Sequence, residues 1–469
     1  MVARIKERER LNDLEAAKVS DFVVVYGRRR VGKTFLIREH FAQKFAFYAA
    51  GLANTSTRKQ LLNFHTSIQK FNTKNLKIET PKNWYEAFQS LEKILAANRC
   101  KKKVIFIDEL PWFDTSRSGF LSALEHFWNS WASARTDILL ITCGSAASWM
   151  ITKILNNKGG LHNRVTQRMK IEPFTLSECK EYLASKNIQY NHYQMVEMYS
   201  ILGGIPYYLN LLKKGLSITQ SIDELCFSDD GELKNEFNNL YASLFKKAES
   251  HVQIILALAT KTKGLTRKEI IDFSKIPNGG GTTKVLDELV ECGFIRRYFQ
   301  FDKKNKDCLY QLVDFYSLFY LKFIKNNKLA TAGYWIKAID NPAKRAWSGY
   351  AFEQVCLMHT TEIKQKLGIS GVLTTESSWR SKDAENGVQI DLLIDRRDQV
   401  VNLFEIKHSI SEFVIDKKYD MEIRNKIGTF QVETKTRKAV WMTMITTFGL
   451  QKNMYAMNIQ NELTLEDLF

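Results

Sequence analysis

A multidomain α/β chain is what this sequence predicts, and three observations predict it. An apolar, β-branched run, Phe22-Val23-Val24-Val25-Tyr26, passes straight into the octet Gly27-Arg28-Arg29-Arg30-Val31-Gly32-Lys33-Thr34 and then into an apolar-periodic helical segment over 34–41. A second apolar run, Val104-Ile105-Phe106-Ile107, ends in Asp108-Glu109. Far downstream, two more apolar runs flank the charged turn 395–399 and carry acids of their own. Strand, loop and helix followed by further strands is the pattern of a parallel sheet covered by helices, whose carboxyl ends open on one crevice. The length of 469 residues leaves room for two to four such domains.

The octet at 27–34 has the spacing of a phosphate-cradling loop. Gly27 and Gly32 let the backbone wrap tightly, so that successive N–H groups through Arg28, Arg29, Arg30 and Val31 can point at phosphate oxygens. Lys33 then reaches the β and γ phosphates as a point charge, and the Thr34 hydroxyl ligates Mg²⁺. The helix that follows presents its positive dipole end to the same anion. Chance matches rarely fall between a β-branched run and a periodic helix, so the octet implies a bound nucleotide with Mg²⁺.

Each later strand adds one part. A carboxylate at a strand tip holds Mg²⁺ through water and an adjacent Glu can polarise the attacking water, which gives Asp108 the metal role and Glu109 the catalytic one. A third strand over 137–145 ends in Thr142-Cys143-Gly144-Ser145. Ser145 or Thr142 could reach the γ phosphate, or these residues could simply begin the next helix.

Composition sets the outer bounds. Lys and Arg number 68 against 51 Asp and Glu, a net charge of +17, which favours a polyanionic partner, with nucleic acid, and DNA first, the leading candidate. Seven cysteines stand at 100, 143, 179, 226, 292, 308 and 356 with no Cys-x-x-Cys pair, which fits reduced thiols better than a disulfide framework or zinc site. The first ten residues are charged throughout, and no apolar run approaches a membrane span. The expectation is a cytoplasmic protein with no membrane partner.

Residues 27–34, 104–109, the strand ending Cys143-Gly144-Ser145 and the later Gly203-Gly204-Ile205-Pro206-Tyr207-Tyr208 together resemble the archaeal-type ATPase family of the STAND branch of AAA-like P-loop NTPases. The resemblance covers roughly residues 1–240 and implies ATP as the nucleotide, with a P-loop ATPase core over 1–175 and a helical lid over 176–240. It implies that Gly204-Ile205-Pro206 closes the lid over the base, which puts Pro206 at the nucleotide. Arg4-Ile5-Lys6-Glu7 stands where the family carries its Arg- and Glu-bearing helix, with Ile5 where an acid is usual. Arg164, after Gly159-Gly160-Leu-His-Asn, looks like the family's post-sensor arginine, which could stabilise phosphate charge; a solvated surface arginine fits the residues equally well. Members often work as assemblies, which implies a homo-oligomer, although no interface is legible.

Residues 231–248, rich in Asn, Lys and Glu, read as a connecting segment. Beyond it the order is helix (251–259), helix (266–273), glycine-rich turn (278–281), helix (282–292) and a strand pair around a polar tip at 302–307, which is the order of a winged helix-turn-helix over 249–330. That segment carries 14 Lys and Arg against 9 Asp and Glu. Thr282, Thr283 and Lys284, with Lys303, Lys304 and Lys306 in the wing, could reach a groove and its phosphates, or the domain could serve only as a spacer, since Asp287 and Glu288 share the third helix.

The last unit, 340–469, holds Gln389-Ile-Asp391-Leu-Leu-Ile394 and Val400-Val-Asn-Leu-Phe-Glu405-Ile-Lys407, two strands around a turn. If the turn centres near Asp398, Asp391 lies opposite Glu405 and the two-residue period puts Lys407 on that face. Two carboxylates and an ammonium converging there would bind Mg²⁺, activate water and stabilise charge on a scissile phosphate, with Glu353 on a preceding helix orienting the metal. Gly349-Tyr-Ala-Phe-Glu353, Ile390-Asp391-Leu-Leu and Phe404-Glu405-Ile-Lys407 resemble the PD-(D/E)xK restriction-endonuclease-like nucleases. That resemblance implies a smaller α/β domain and leaves two outcomes open, metal-dependent cleavage or a fold retained as an inert scaffold or DNA-binding regulator.

Overall fold

The protein is described by a computed structural model that covers residues 2–156, 159–161, 163–245, 248–301, 308–327, 330–338, 341–381 and 387–469. The chain forms two compact units, Met1–Pro173 and Phe174–Phe469.

In the first unit, β1 (Asp21–Tyr26), β2 (Phe47–Ala50), β3 (Lys103–Asp108), β4 (Ile138–Gly144) and β5 (Gln167–Lys170) form one all-parallel sheet in the order β2-β3-β4-β1-β5. The strands β1, β3 and β4 are apolar at nearly every position because both of their faces are covered. Helices Thr57–Phe71, Trp84–Ala97 and Phe120–Phe127 supply much of that cover, through a fully buried aromatic cluster that includes Phe64, Trp84, Phe113 and Phe120. The edge strands β2 and β5 have only four residues each, too few for a readable period, and the sequence does not mark them.

The second unit opens with the helices Leu176–Ser185, His192–Leu202, Pro206–Asn210, Ile218–Phe227 and Glu236–Leu244. The last of these corrects the reading of 231–248 as a connector. Phe237, Leu240 and Tyr241 are buried at helical spacing, with Phe237 stacked on Tyr320 at 4.7 Å and Tyr241 against Phe294 at 4.8 Å, and the surrounding Asn and Lys hid that stripe.

Three helices follow, Glu249–Ala259, Arg267–Ser274 and Gly280–Glu291, with a small antiparallel sheet in the order β6-β8-β7 made of β6 (Leu265–Thr266), β7 (Ile295–Tyr298) and β8 (Leu309–Leu312). The third helix begins inside the expected glycine turn, because the Arg267 guanidinium donates to Gly279 O, Asn278 Oδ1 and Thr283 Oγ1 and pins its first turn.

The chain ends in helices Pro342–Met358 and Thr360–Lys366, then β9 (Thr374–Arg380), β10 (Gln389–Arg396), β11 (Val400–Lys407), helix Lys417–Thr434, β12 (Ala439–Thr446) and β13 (Asn461–Thr464). The sheet order is β13-β12-β11-β10-β9; β9, β10 and β11 run antiparallel, and β12 and β13 continue parallel to β11. Leu393, Leu403, Phe430 and Met444 lie in its core. The β10–β11 turn is tighter than the charged run suggests: Asp395 and Arg396 stay in the strand, and Gln399 takes the left-handed conformation at φ 69°. Among the described residues, no helix is long and apolar enough to cross a membrane.

Candidate functional site

Three strand ends of the first unit meet at one edge. The loop after β1 turns on Gly27 (φ 140°) and Gly32 (φ 86°), conformations open to glycine at little cost, and a Cβ on Gly27 would lie 2.3 Å from Ile171 O. Gly32 then caps helix Lys33–His40. Lys33 is buried and its Nζ donates to Gly27 O (3.0 Å) and Arg28 O (2.7 Å), which holds the ammonium inside the loop of Arg28, Arg29, Arg30 and Val31. Arg4, the residue that caps helix Ile5–Ala16, donates to Val31 O at 3.0 Å and so braces the loop.

The strand β4 lies between β1 and β3, yet Thr34 Oγ1 donates to Asp108 Oδ2 at 2.9 Å. Burial pushes the Asp108 carboxyl up, and the Glu109 charge adds to it against the pull of the Thr34 hydroxyl. A buried carboxylate of this kind gains from an arriving cation, so Thr34 and Asp108 fit a Mg²⁺ partner. Glu109 sits at φ 46° and its Oε1 accepts from Ser145 Oγ at 2.5 Å. Ser145 thus reaches this edge, whereas Thr142 is fully buried and its hydroxyl faces Val23 O in β1. Arg164 is exposed, and Pro206 opens helix Pro206–Asn210 in the second unit.

In the second unit, Glu353, Asp391, Glu405 and Lys407 line one cavity of about 280 Å³, together with Lys263, Gln389 and Lys426. The β10–β11 register pairs Leu392 with Phe404, the neighbours of Asp391 and Glu405 in their strands. Burial raises the Glu353 carboxyl to about 7, with the Asp391 charge adding to it. Burial also pushes Glu405 up, but the Lys426 and Lys407 ammonium groups and the Tyr419 hydroxyl outweigh it and leave its carboxyl below the usual range. Those three groups lie on the Glu405 oxygens: Lys426 at 2.6 Å, Tyr419 at 2.6 Å and Lys407 at 3.0 Å. Gln389 donates to Asp391 Oδ1 at 2.6 Å and accepts from Lys263 at 2.8 Å. Among the described residues, no three His, Cys, Asp or Glu side chains gather in metal-holding geometry.

Lys426, Tyr419 and Lys263 are absent from the sequence reading. Lys426 and Tyr419 stand on helix Lys417–Thr434 and Lys263 on the turn before β6, and nothing local in the sequence links those segments to the hairpin. Of the groove-contact candidates, Thr282 is corrected: it is buried and donates to Pro277 O at 2.6 Å, which closes the first turn of its helix. Thr283 and Lys284 are exposed, while Lys303, Lys304 and Lys306 lie outside the described residues.

Comparison with known proteins bears on this geometry. An uncharacterized protein of Methanocaldococcus jannaschii is 26% identical over 415 residues, 87% of each chain. A Walker-type ATPase of Pyrococcus abyssi shares the fold at TM-score 0.53 and 19% identity, over 69% of this chain and 96% of that one. The first unit is therefore an α/β fold with the parallel sheet of P-loop NTPases. Residues 1–212 match the family described as an ATPase domain predominantly from Archaea, and that match supports ATP binding and hydrolysis by this part of the chain.

Proposed function

We propose that the chain is an ATP-hydrolysing switch that couples nucleotide state to action on DNA, with a phosphodiester-cleaving site at Glu353, Asp391, Glu405 and Lys407. The observation that carries the proposal is the convergence of those four side chains, from one helix and two strands, on a single cavity.

In the first unit the backbone of 27–34 would hold the phosphates, and Lys33 would leave the Gly27 and Arg28 carbonyls for them. Thr34 and Asp108 would hold Mg²⁺, and Glu109, oriented by Ser145, would accept the proton of the attacking water. Arg164 and Pro206 are proposed as nucleotide contacts on the family resemblance alone. ATP supplies the anhydride whose hydrolysis changes the charge at this edge.

In the second unit Asp391 and Glu405 would hold Mg²⁺, which supplies Lewis acidity at the scissile phosphate. Lys407 would stabilise the charge that builds on that phosphate, and Glu353 would exchange a proton near neutral pH. The order α, three antiparallel strands, α, parallel strand supports a restriction-endonuclease-like reading of 340–469. Three helices and a hairpin support a winged helix over 249–330, and the helices that precede it support a lid.

A specific observation favours a second reading, a DNA-binding regulator with an inert nuclease-like domain: the Glu405 oxygens are already taken by two lysines and a tyrosine. Incubating the purified protein with plasmid DNA, with and without Mg²⁺ and ATP, separates the two. Nicking or linearisation that requires Mg²⁺ supports the first, and retarded but intact plasmid supports the second.

A further inference from the structure

We propose that a second cavity, between β7 and helix Pro342–Met358, is a subsite for one unstacked nucleotide of a nucleic-acid strand. The proposal rests on the reading of the neighbouring carboxylate pocket as a phosphodiester site. The second cavity has a volume of about 350 Å³, near the lower end of ligand-binding pockets, which suits a single nucleotide and excludes a duplex. Lys263, Glu353 and Asp391 line both cavities, so a strand can run from one to the other along a shared wall.

The walls ask for a polar ligand. Tyr350 and Ser377 are among the residues that line the cavity, and their Oη and Oγ atoms are closed off from solvent with no hydrogen-bond partner among the described residues. A buried hydroxyl left unpaired destabilises the fold, and a bound polar group removes that cost. Positive charge stands beside them on Lys263, Arg296 and Arg297. The Arg296 guanidinium is held by Gln311 Oε1 (2.9 Å) and Gln354 Oε1 (3.0 Å), and Arg297 lies 3.6 Å from Asp287. Acids share the wall as well: Glu353, Asp391 and Glu376, the last paired with Lys364 at 2.5 Å. Tyr298 and Phe299 add aromatic faces, on which any base can stack. Cations for phosphate, hydroxyls for sugar or phosphate oxygens and aromatic faces for a base form the recognition set of a single-stranded nucleotide.

The seam that forms the cavity is tied from both sides. Beyond β7 the chain pairs with the edge strand β9: Ser378 N donates to Phe299 O at 3.1 Å, and Phe301 N donates to Ser378 O at 2.7 Å. The Phe301 ring then packs on Phe430 at 5.4 Å, inside the core of the larger sheet. The cavity is thus preorganised, and Ser377 is fixed beside that pairing.

The test measures fluorescence anisotropy of a short fluorescein-labelled single-stranded DNA with the full chain in EDTA, where no cleavage intervenes. The double variant Tyr350→Phe/Ser377→Ala removes only two hydroxyls and should weaken binding by about thirtyfold, the factor to which two lost hydrogen bonds of about 1 kcal/mol each amount. Its melting temperature should match or exceed that of the wild type, because neither hydroxyl bonds to the described protein, and this separates a ligand role from a structural one. Arg297→Gln, at the exposed mouth, should weaken binding as well. Unchanged affinity in the double variant overturns the proposal, as does displacement of the oligonucleotide by free dAMP at equal concentration. Cleavage that disappears in Asp391→Asn beside unchanged binding in the double variant sinks the subsite alone. Weakened binding in the double variant of a protein that never cleaves DNA upholds the subsite and sinks the carboxylate reading.

Discussion

Lys426 Nζ lies 2.6 Å from Glu405 Oε2, so a helix that follows the β10–β11 hairpin places an ammonium on the carboxylate at the centre of the second candidate site. Glu405 is only 8% exposed, and Lys407 and Tyr419 cover its other oxygen. The resulting network holds Glu405 ionised in a place where burial alone would protonate it.

Removing Lys426 takes away the strongest opposing charge. Lys426→Ala should lower stability at pH 7 by about 1–3 kcal/mol, the range for breaking one partner of a charge-assisted buried hydrogen bond. Because the folded carboxyl is held below its unfolded value, that contribution is present above the unfolded value and fades as pH falls through the folded one. Thermal melts of the wild type and Lys426→Ala should therefore differ at pH 7 and converge toward acid.

Glu353 titrates in the opposite sense. Its carboxyl is raised to about 7 from 4.5, so the folded protein keeps a proton that the unfolded chain releases, and stability falls as pH rises from 4.5 to about 7. Glu353→Gln should abolish that slope and gain roughly 2 kcal/mol over the wild type at pH 8, discounted for the partial exposure of the group. Parallel pH–stability curves for the two proteins would show that Glu353 is not the titrating group.

At the first site, Lys33→Ala should remove most nucleotide binding, read by fluorescent-nucleotide titration, because the phosphate loop loses its point charge. Glu109→Gln should bind normally and turn over ATP about 100-fold more slowly, the range for loss of a general base. Equal turnover in Glu109→Gln and the wild type would move the base elsewhere.

The net charge of +17 bears on DNA affinity as a whole. If DNA binding is chiefly a matter of phosphate contacts, it should fall by about 10³-fold or more between 50 and 200 mM salt. A flat salt response would point away from nucleic acid.

What the sequence made legible was local. The loop at 27–34, the Asp108-Glu109 strand tip and the acid-bearing hairpin each lie within a few consecutive residues, where spacing and alternation fix the geometry. Contacts that need tertiary structure were not readable. Lys426 is 21 residues from Glu405 on another element, Lys263 is 126 residues from Gln389, and the pairing of Phe301 with Ser378 depends on docking rather than on pattern. Helix Glu236–Leu244 escaped because the Asn within it and the Lys on either side resemble a linker by composition, while its three buried apolar residues, Phe237, Leu240 and Tyr241, are at helical spacing.

Plasmid cleavage by Asp391→Asn, set beside the wild type and Lys407→Ala in Mg²⁺ or Mn²⁺, with and without ATP, tests the central proposal most directly. Asp391→Asn removes, at nearly constant volume, a charge that the proposal assigns to the cation, so folding and ATP turnover should persist while cleavage disappears. Lys407→Ala should retain metal affinity and lose at least about 100-fold in the chemical step. Absence of cleavage by the wild type under every metal and nucleotide condition, or cleavage that persists in both variants, would contradict a phosphodiesterase site at Glu353, Asp391, Glu405 and Lys407.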